Sequence, residues 1–230
     1  MNNSSVLDFF HRYMEEMGVF SSMNGELLNG DSESIPLLTT SFLNWFETQR
    51  WDSLSLLELG AGSSTLYFSK FFKSVTSYET SQDWFDKLLP KKPNNVYLIK
   101  VDSIRDALKK NHKKDIHDFD VILIDAGENR ANLARWLVIE GYKGIIFFDN
   151  SEWYRKSIQM FIGEGFVEIP FFGLKPIEDW VSCTSIVAEP SALKDIFNDN
   201  WVALPKLSWE QSNDDWDNEQ GGTDIERKTN

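Results

Sequence analysis

The chain has 230 residues, 41% of them hydrophobic and 14% aromatic, and 36 Asp and Glu against 23 Lys and Arg give a net charge of −13. That is apolar material for one substantial core, and the acidity excludes a protein whose affinity comes from neutralising phosphates, so no nucleic-acid partner is expected. The single cysteine, Cys183, excludes an internal disulfide framework or thiolate zinc cluster.

In chain order, residues 1–52 read as a helical cap. VLDFFHRYMEEM repeats its apolar residues at helical spacing, GELLNGDSES is a loop, and Pro36 opens IPLLTTSFLNWFETQR, helical up to Arg50. There is no basic start followed by an apolar core and no run near about 18 apolar residues. The expected location is therefore cytoplasmic, with no membrane partner. The cap is also a candidate surface for a homodimer.

From residue 54 to 148 the apolar runs SLSLLEL, SVTSYE, NVYLIKVD, FDVILID and KGIIFFD alternate with helices beginning near Ser63, Ser81, Ser103 and Glu128. Such alternation predicts a parallel sheet with helices on both faces. A helix over about 152–162 follows. GFVEIPFFG and CTSIVAE are then separated only by LKPIEDWVS, too short for a parallel crossover, and predict an antiparallel pair. SALKDIF reads as a short helix, and the acidic tail beyond it as disordered. The expected fold is α/β, a Rossmann-like seven-stranded, mostly parallel sheet with an antiparallel last strand. Its expected divisions are 1–52, 53–190 and a C-terminal extension, 191–230.

The site is read from the strand ends. LLELGAGSST runs from a buried strand into a turn at Gly60, Ala61 and Gly62 and leaves through Ser63 or Ser64 into a helix. Glycines let the backbone amides approach a ligand, either a dinucleotide or S-adenosylmethionine. The dinucleotide fingerprint places a third glycine where Thr65 stands. Four of the five runs end in a carboxylate: Glu79, Asp102, Asp125 and Asp149. Any one of them could cap a helix, but right-handed crossovers bring all four to the ligand-binding edge. Glu79 lies nineteen residues beyond Gly60, where a carboxylate can accept both ribose hydroxyls. His11, His112 and His117 lie away from the strand ends, and neither HExxH nor GxSxG occurs.

Over 54–189 the chain resembles the class I S-adenosylmethionine-dependent methyltransferases, through ELGAGSST, SYETS, KVDS, ILIDAGENR and IIFFDNSEWY. The resemblance implies a cofactor site made by Glu58, Gly60, Ala61, Gly62, Ser63, Ser64, Glu79, Thr80, Asp102, Ser103 and Asp125. Glu58 would face the methionine end and Asp102 the adenine. ILIDA followed by FFDN is similar to the metal-dependent O-methyltransferases of the catechol type. That similarity implies Asp125, Asp149 and Asn150 as catalytic residues and as ligands of a divalent cation such as Mg. Glu128 departs from that family, which places a lysine there, and Arg130 would recognise an anionic substrate or project into solvent. DNSEWY with CTSIV also resembles a smaller branch carrying a DNSE motif. Trp153, Tyr154 and Trp180 are candidate acceptor-pocket aromatics. The reading is methyl transfer from S-adenosylmethionine to a small molecule or glycan, with oxygen favoured over nitrogen. A noncatalytic cofactor-binding module and a nicotinamide-dependent oxidoreductase are the alternatives.

Overall fold

A computed structural model describes residues 3–197 apart from 21, 24, 25, 30, 111–115 and 128. The acidic tail expected to be disordered, His112 and Glu128 lie outside the described residues.

Helix α1 (Asn3–Glu16) leads through a small hairpin, β1 (Ser22–Met23) with β2 (Glu26–Leu27), to α2 (Thr40–Phe46). The alternating core follows: β3 (Ser55–Leu59), α3 (Ser63–Phe68), β4 (Ser74–Glu79), α4 (Gln82–Leu88), β5 (Val96–Lys100), α5 (Ile104–Lys110), β6 (Val121–Ile124), α6 (Arg130–Ile139), β7 (Ile145–Asp149) and α7 (Arg155–Gly163). The hairpin strands β8 (Val167–Gly173) and β9 (Ser182–Ala188) and helix α8 (Pro190–Phe197) complete the described chain.

The strand order is β5-β4-β3-β6-β7-β9-β8. All neighbours are parallel except those of β9, which runs antiparallel to both β7 and β8. The expected Rossmann-like sheet is thus present, with β9 the antiparallel last strand. Central strands covered on both faces must be apolar on both, and β6 and most of β3 are wholly buried. Leu56, Val75, Leu123, Phe147 and Ile186 face one core; Leu57, Leu59, Ile122, Ile124, Ile146 and Phe148 face the other. Pro170, which has no N–H to give a ladder, sits in β8 at the sheet's edge.

The helix expected over 36–50 is shortened to Thr40–Phe46 by tertiary hydrogen bonds. Thr39 is extended; its N–H donates to Thr184 Oγ1 at 3.1 Å and its hydroxyl to the Phe171 carbonyl at 3.0 Å. The Thr40 N–H donates to the Leu174 carbonyl at 2.8 Å. Likewise α7 begins at Arg155 rather than near Glu152. Asn150 takes a left-handed φ of +54°, and a turn from Asn150 to Trp153 intervenes. The loop expected at GELLNGDSES contains β2 and the end of the hairpin. Among the described residues no helix is long and apolar enough to cross a membrane.

Helix α2 belongs to the core. Leu38, Phe42 and Phe46 are fully buried, and the Phe46 ring stacks on Trp51 at 4.8 Å and meets Phe68, Phe71 and Phe147 edge-on. Such a hub leaves a large cavity when truncated. Phe46→Ala is expected to lower the unfolding free energy by about 3–5 kcal/mol, read as a lower urea midpoint with an unchanged slope.

Candidate functional site

The chain turns one way from β3 to β4 and the other way from β6 to β7, so the order reverses between β3 and β6. A crevice opens at the C-terminal ends of strands at such a point. A cavity of about 670 Å³ lies there, within the range of roughly 300–1,000 Å³ usual for cofactor pockets. Gly60, Ala61, Gly62, Ser63, Ser64, Glu79, Thr80, Asp102, Ser103 and Asp125 all line it. Glu58, Asp149 and Asn150 do not.

The two turn glycines serve different ends. Gly60 has a φ of +104°, and a Cβ there would stand 2.8 Å from the Ala126 Cα and the Asp125 carbonyl. Its lack of a side chain lets the β6 loop cross the turn. Gly62 is extended, and a Cβ there would meet nothing closer than Ser64 Oγ at 3.8 Å. Its bareness leaves the cavity wall open to a ligand.

Glu79, at the end of β4, is buried. Its Oε2 accepts the Ala61 N–H at 2.9 Å and its Oε1 the Ser81 N–H at 2.5 Å. A carboxylate has about four lone-pair sites, so two remain for a ligand. The capping of α4 falls instead to the Ser81 hydroxyl, which accepts the Trp84 N–H at 3.3 Å. In α5 the cap is Ser103, accepting the Asp106 N–H at 3.3 Å, and this leaves Asp102 exposed at the cavity rim. Trp84, Ile104, Leu27 and Leu37 add apolar wall. Nothing in the sequence singled out Trp84 among nine tryptophans.

Glu58 requires a correction. Side chains alternate along β3, so with Leu57 and Leu59 on one face, Glu58 points with Leu56 to the other, beneath α3. It is fully buried and accepts the hydroxyls of Ser64, Thr65 and Ser77, each at 2.5 Å. Thr65 also accepts the Gly62 N–H at 3.1 Å. Glu58 therefore braces the turn from below and does not face the cavity, and Ser64 is engaged with it. Burial pushes its carboxyl up to about 7, against the three hydroxyl bonds that pull it down.

The expected trio of Asp125, Asp149 and Asn150 is brought together, but around an arginine. Arg130 Nη2 donates to Asp125 Oδ1 at 2.8 Å. Its Nη1 donates to Asp149 Oδ2 at 3.1 Å, the Asp149 carbonyl at 2.8 Å and Asn150 Oδ1 at 2.9 Å, and its Nε to the Ala126 carbonyl at 2.7 Å. Lys175 Nζ adds 2.8 Å to Asp149 Oδ2, and Thr184 donates to Asp149 Oδ1 at 3.0 Å. The side chains of Asp149 and Lys175 are only 2% and 1% exposed. Of the trio only Asp125 reaches the cavity. Burial and the Asp149 carboxylate hold its carboxyl well above the usual range, with Arg130 and Lys175 opposing them.

The expected divalent cation does not fit this donor set, because oxygens from all three of its residues already accept from guanidinium or ammonium. Among the described residues no three His, Cys, Asp or Glu converge as a metal site. Arg130 neither projects into solvent nor stands free for a substrate. Lys175 was missed: in LKPIEDWVS it carries no motif. Trp153 and Trp180 are exposed, and Tyr154 packs on Phe148, so none of the three lines the cavity.

No protein-family model and no curated protein sequence matches the chain. Solved structures do. An O-methyltransferase from Bacillus cereus in complex with SAH superimposes with a TM-score of 0.50 at 14% identity, over 81% of this chain and 91% of that one. A methyltransferase from Pyrococcus furiosus gives 0.45 at 17% identity over 79% and 98%. A precorrin-6y C5,15-methyltransferase from Geobacter metallireducens gives 0.47 at 15% over 67% and 90%. The fold is that of the class I S-adenosylmethionine-dependent methyltransferases.

The buried Glu58 gives the site a pH dependence. Its folded value of about 7 lies above the ordinary 4.5, so its stabilising contribution is complete below pH 4.5 and is lost as pH rises through 7. Glu58→Gln stays neutral. In melting experiments across that window its stability is expected to gain on the native chain by up to about 3 kcal/mol.

Proposed function

We propose that the chain is a methyltransferase that uses S-adenosylmethionine, with a small molecule or glycan as acceptor and oxygen as the favoured acceptor atom. The observation that carries this reading is Glu79: a buried carboxylate, tied to the glycine turn through Ala61, with two lone-pair sites left at the wall of the switch-point cavity. Two free acceptor sites match the two ribose hydroxyls. Ser63, at the cavity wall beyond the turn, would receive the carboxylate end of the ligand, and Asp102 the adenine amino group.

When bound, the cofactor supplies an activated methyl group on a sulfonium. The carboxylates of Glu79, Asp102, Asp106 and Asp125 line the cavity against the one guanidinium of Arg105, a field suited to a positively charged ligand. Transfer needs the acceptor held in line with the methyl at near-attack distance. Leu27 and Leu37 bring the N-terminal segment over the cavity, which supports a role for it in closing over an acceptor. Asp125 is the candidate to orient the acceptor or take its proton. Its upward-shifted carboxyl is a better base than an ordinary aspartate.

Oxygen is favoured because IIFFDN is similar to the O-methyltransferases, and the Bacillus cereus neighbour carries that name. Thr65, whose hydroxyl joins Glu58 to the turn, stands against the dinucleotide alternative. Calorimetric titration with S-adenosylmethionine and its demethylated product is expected to show micromolar binding. Glu79→Ala should weaken it by about tenfold to a hundredfold, as for losing charge-assisted hydrogen bonds. Unchanged affinity in that variant, or binding of a nicotinamide dinucleotide instead, would overturn the proposal.

A further inference from the structure

The three residues expected to hold a divalent cation hold a guanidinium, and this has consequences for what the site can bind. Arg130 enters from the start of α6 and is 12% exposed at its side chain. Its five contacts end on Asp125, Ala126, Asp149 and Asn150, the two loops that leave β6 and β7. Lys175, from the loop between β8 and β9, donates to the same Asp149 oxygen, Oδ2, that Arg130 contacts. Glu152, which accepts Asn150 Nδ2 at 3.4 Å, and Glu178 stand beside this group, so the obstacle to a divalent cation is space. A cation would need to sit about 2.0–2.6 Å from oxygens that Arg130 and Lys175 now contact, in the space their nitrogens fill.

We propose that Arg130, backed by Lys175, is a built-in replacement for a metal ion: a positioning residue that fixes Asp125 at the cavity wall and ties the β6 and β7 loops together, so that the site works without a divalent cation. Arginine suits the task because its planar fork presents five donors in fixed directions to acceptors on two strands. Lysine at the same position would reach only some of them. A hydrated metal performs the same joining of loops with oxygen ligands, and the two solutions exclude each other in one volume. The role assigned to Asp125 rests on the methyltransferase reading; the cation exchange itself does not.

The test follows melting of the full chain, without cofactor, in chelator and in magnesium or manganese. The native chain is expected to melt at the same temperature in all three. Arg130→Ser removes the guanidinium and leaves converging oxygens with one uncompensated carboxylate, so in chelator it should melt lower by about 10 °C. Magnesium or manganese should then restore part of the loss by occupying the vacated position, and Asp149→Asn added to that variant should abolish the metal response. Arg130→Lys, which keeps the charge, should melt between the two and respond weakly to metal. It serves in place of the serine variant should that one not fold. A native chain that gains melting temperature with magnesium and loses the gain in Asp149→Asn would overturn the proposal, as would an Arg130 variant whose melting ignores both the substitution and the metal. Titration with the demethylated product is run alongside. Its failure would overturn the proposed function while leaving the melting result to decide the role of Arg130.

Discussion

Asp149 is the group on which the arrangement of this molecule depends. It ends a central strand, is 1% exposed, and an unpaired carboxylate there would cost several kcal/mol. The fold meets that cost by drawing partners from distant parts of the chain: Arg130 from α6, Lys175 from the loop before β9, and Thr184 from β9 itself. Thr184 in turn accepts the Thr39 N–H, so the segment leading into α2 is fastened to the same strand end. One buried charge thereby connects the N-terminal segment, the antiparallel hairpin and the edge of the switch-point cavity. Breaking a pair of this kind is far more damaging than never having built it, because the remaining charge stays buried.

A second buried acid does comparable work on the other side of the switch point. Glu58 lies beneath the glycine turn and gathers Ser64 and Thr65 from α3 and Ser77 from β4, while Thr65 returns a contact to the turn at Gly62. The turn's shape is therefore held by side chains from below and by its own amides, Gly60 donating to the Tyr78 carbonyl, Ala61 to Glu79 and Gly62 to Thr65. Glu79 completes the frame from above through Ala61 and Ser81. Two carboxylates on neighbouring strands thus divide the labour, Glu58 holding the turn and Glu79 facing the cavity. Asp125 and Asp149 divide it in the same way, Asp125 at the cavity wall and Asp149 inside.

This division explains why carboxylates at strand ends, and Glu58 one residue short of the end of β3, take different roles. Each closes an apolar run and precedes a helix or turn, and in sequence that is all they show. The direction of Glu58 follows from strand alternation and could have been read from Leu57 and Leu59. The fate of Asp149 could not, because it depends on Lys175 and Thr184, residues 26 and 35 positions away that carry no motif. Glu128 was visible as a departure from the catechol-type pattern, but the meaning of Arg130, five residues beyond Asp125, came only with the distances.

The sequence by itself determined the alternation of strands and helices, the antiparallel hairpin at the end, the glycine turn, and the gathering of acidic residues along one sheet edge. These follow from local periodicity and from the handedness of crossovers, which act over a few residues at a time. Only the tertiary structure decided which of those acids open onto the cavity, where the N-terminal segment stops being helical, and that an arginine sits where a metal was expected. Those outcomes turn on hydrogen bonds between residues far apart in the chain and on the cost of burying charge, and no local pattern carries either.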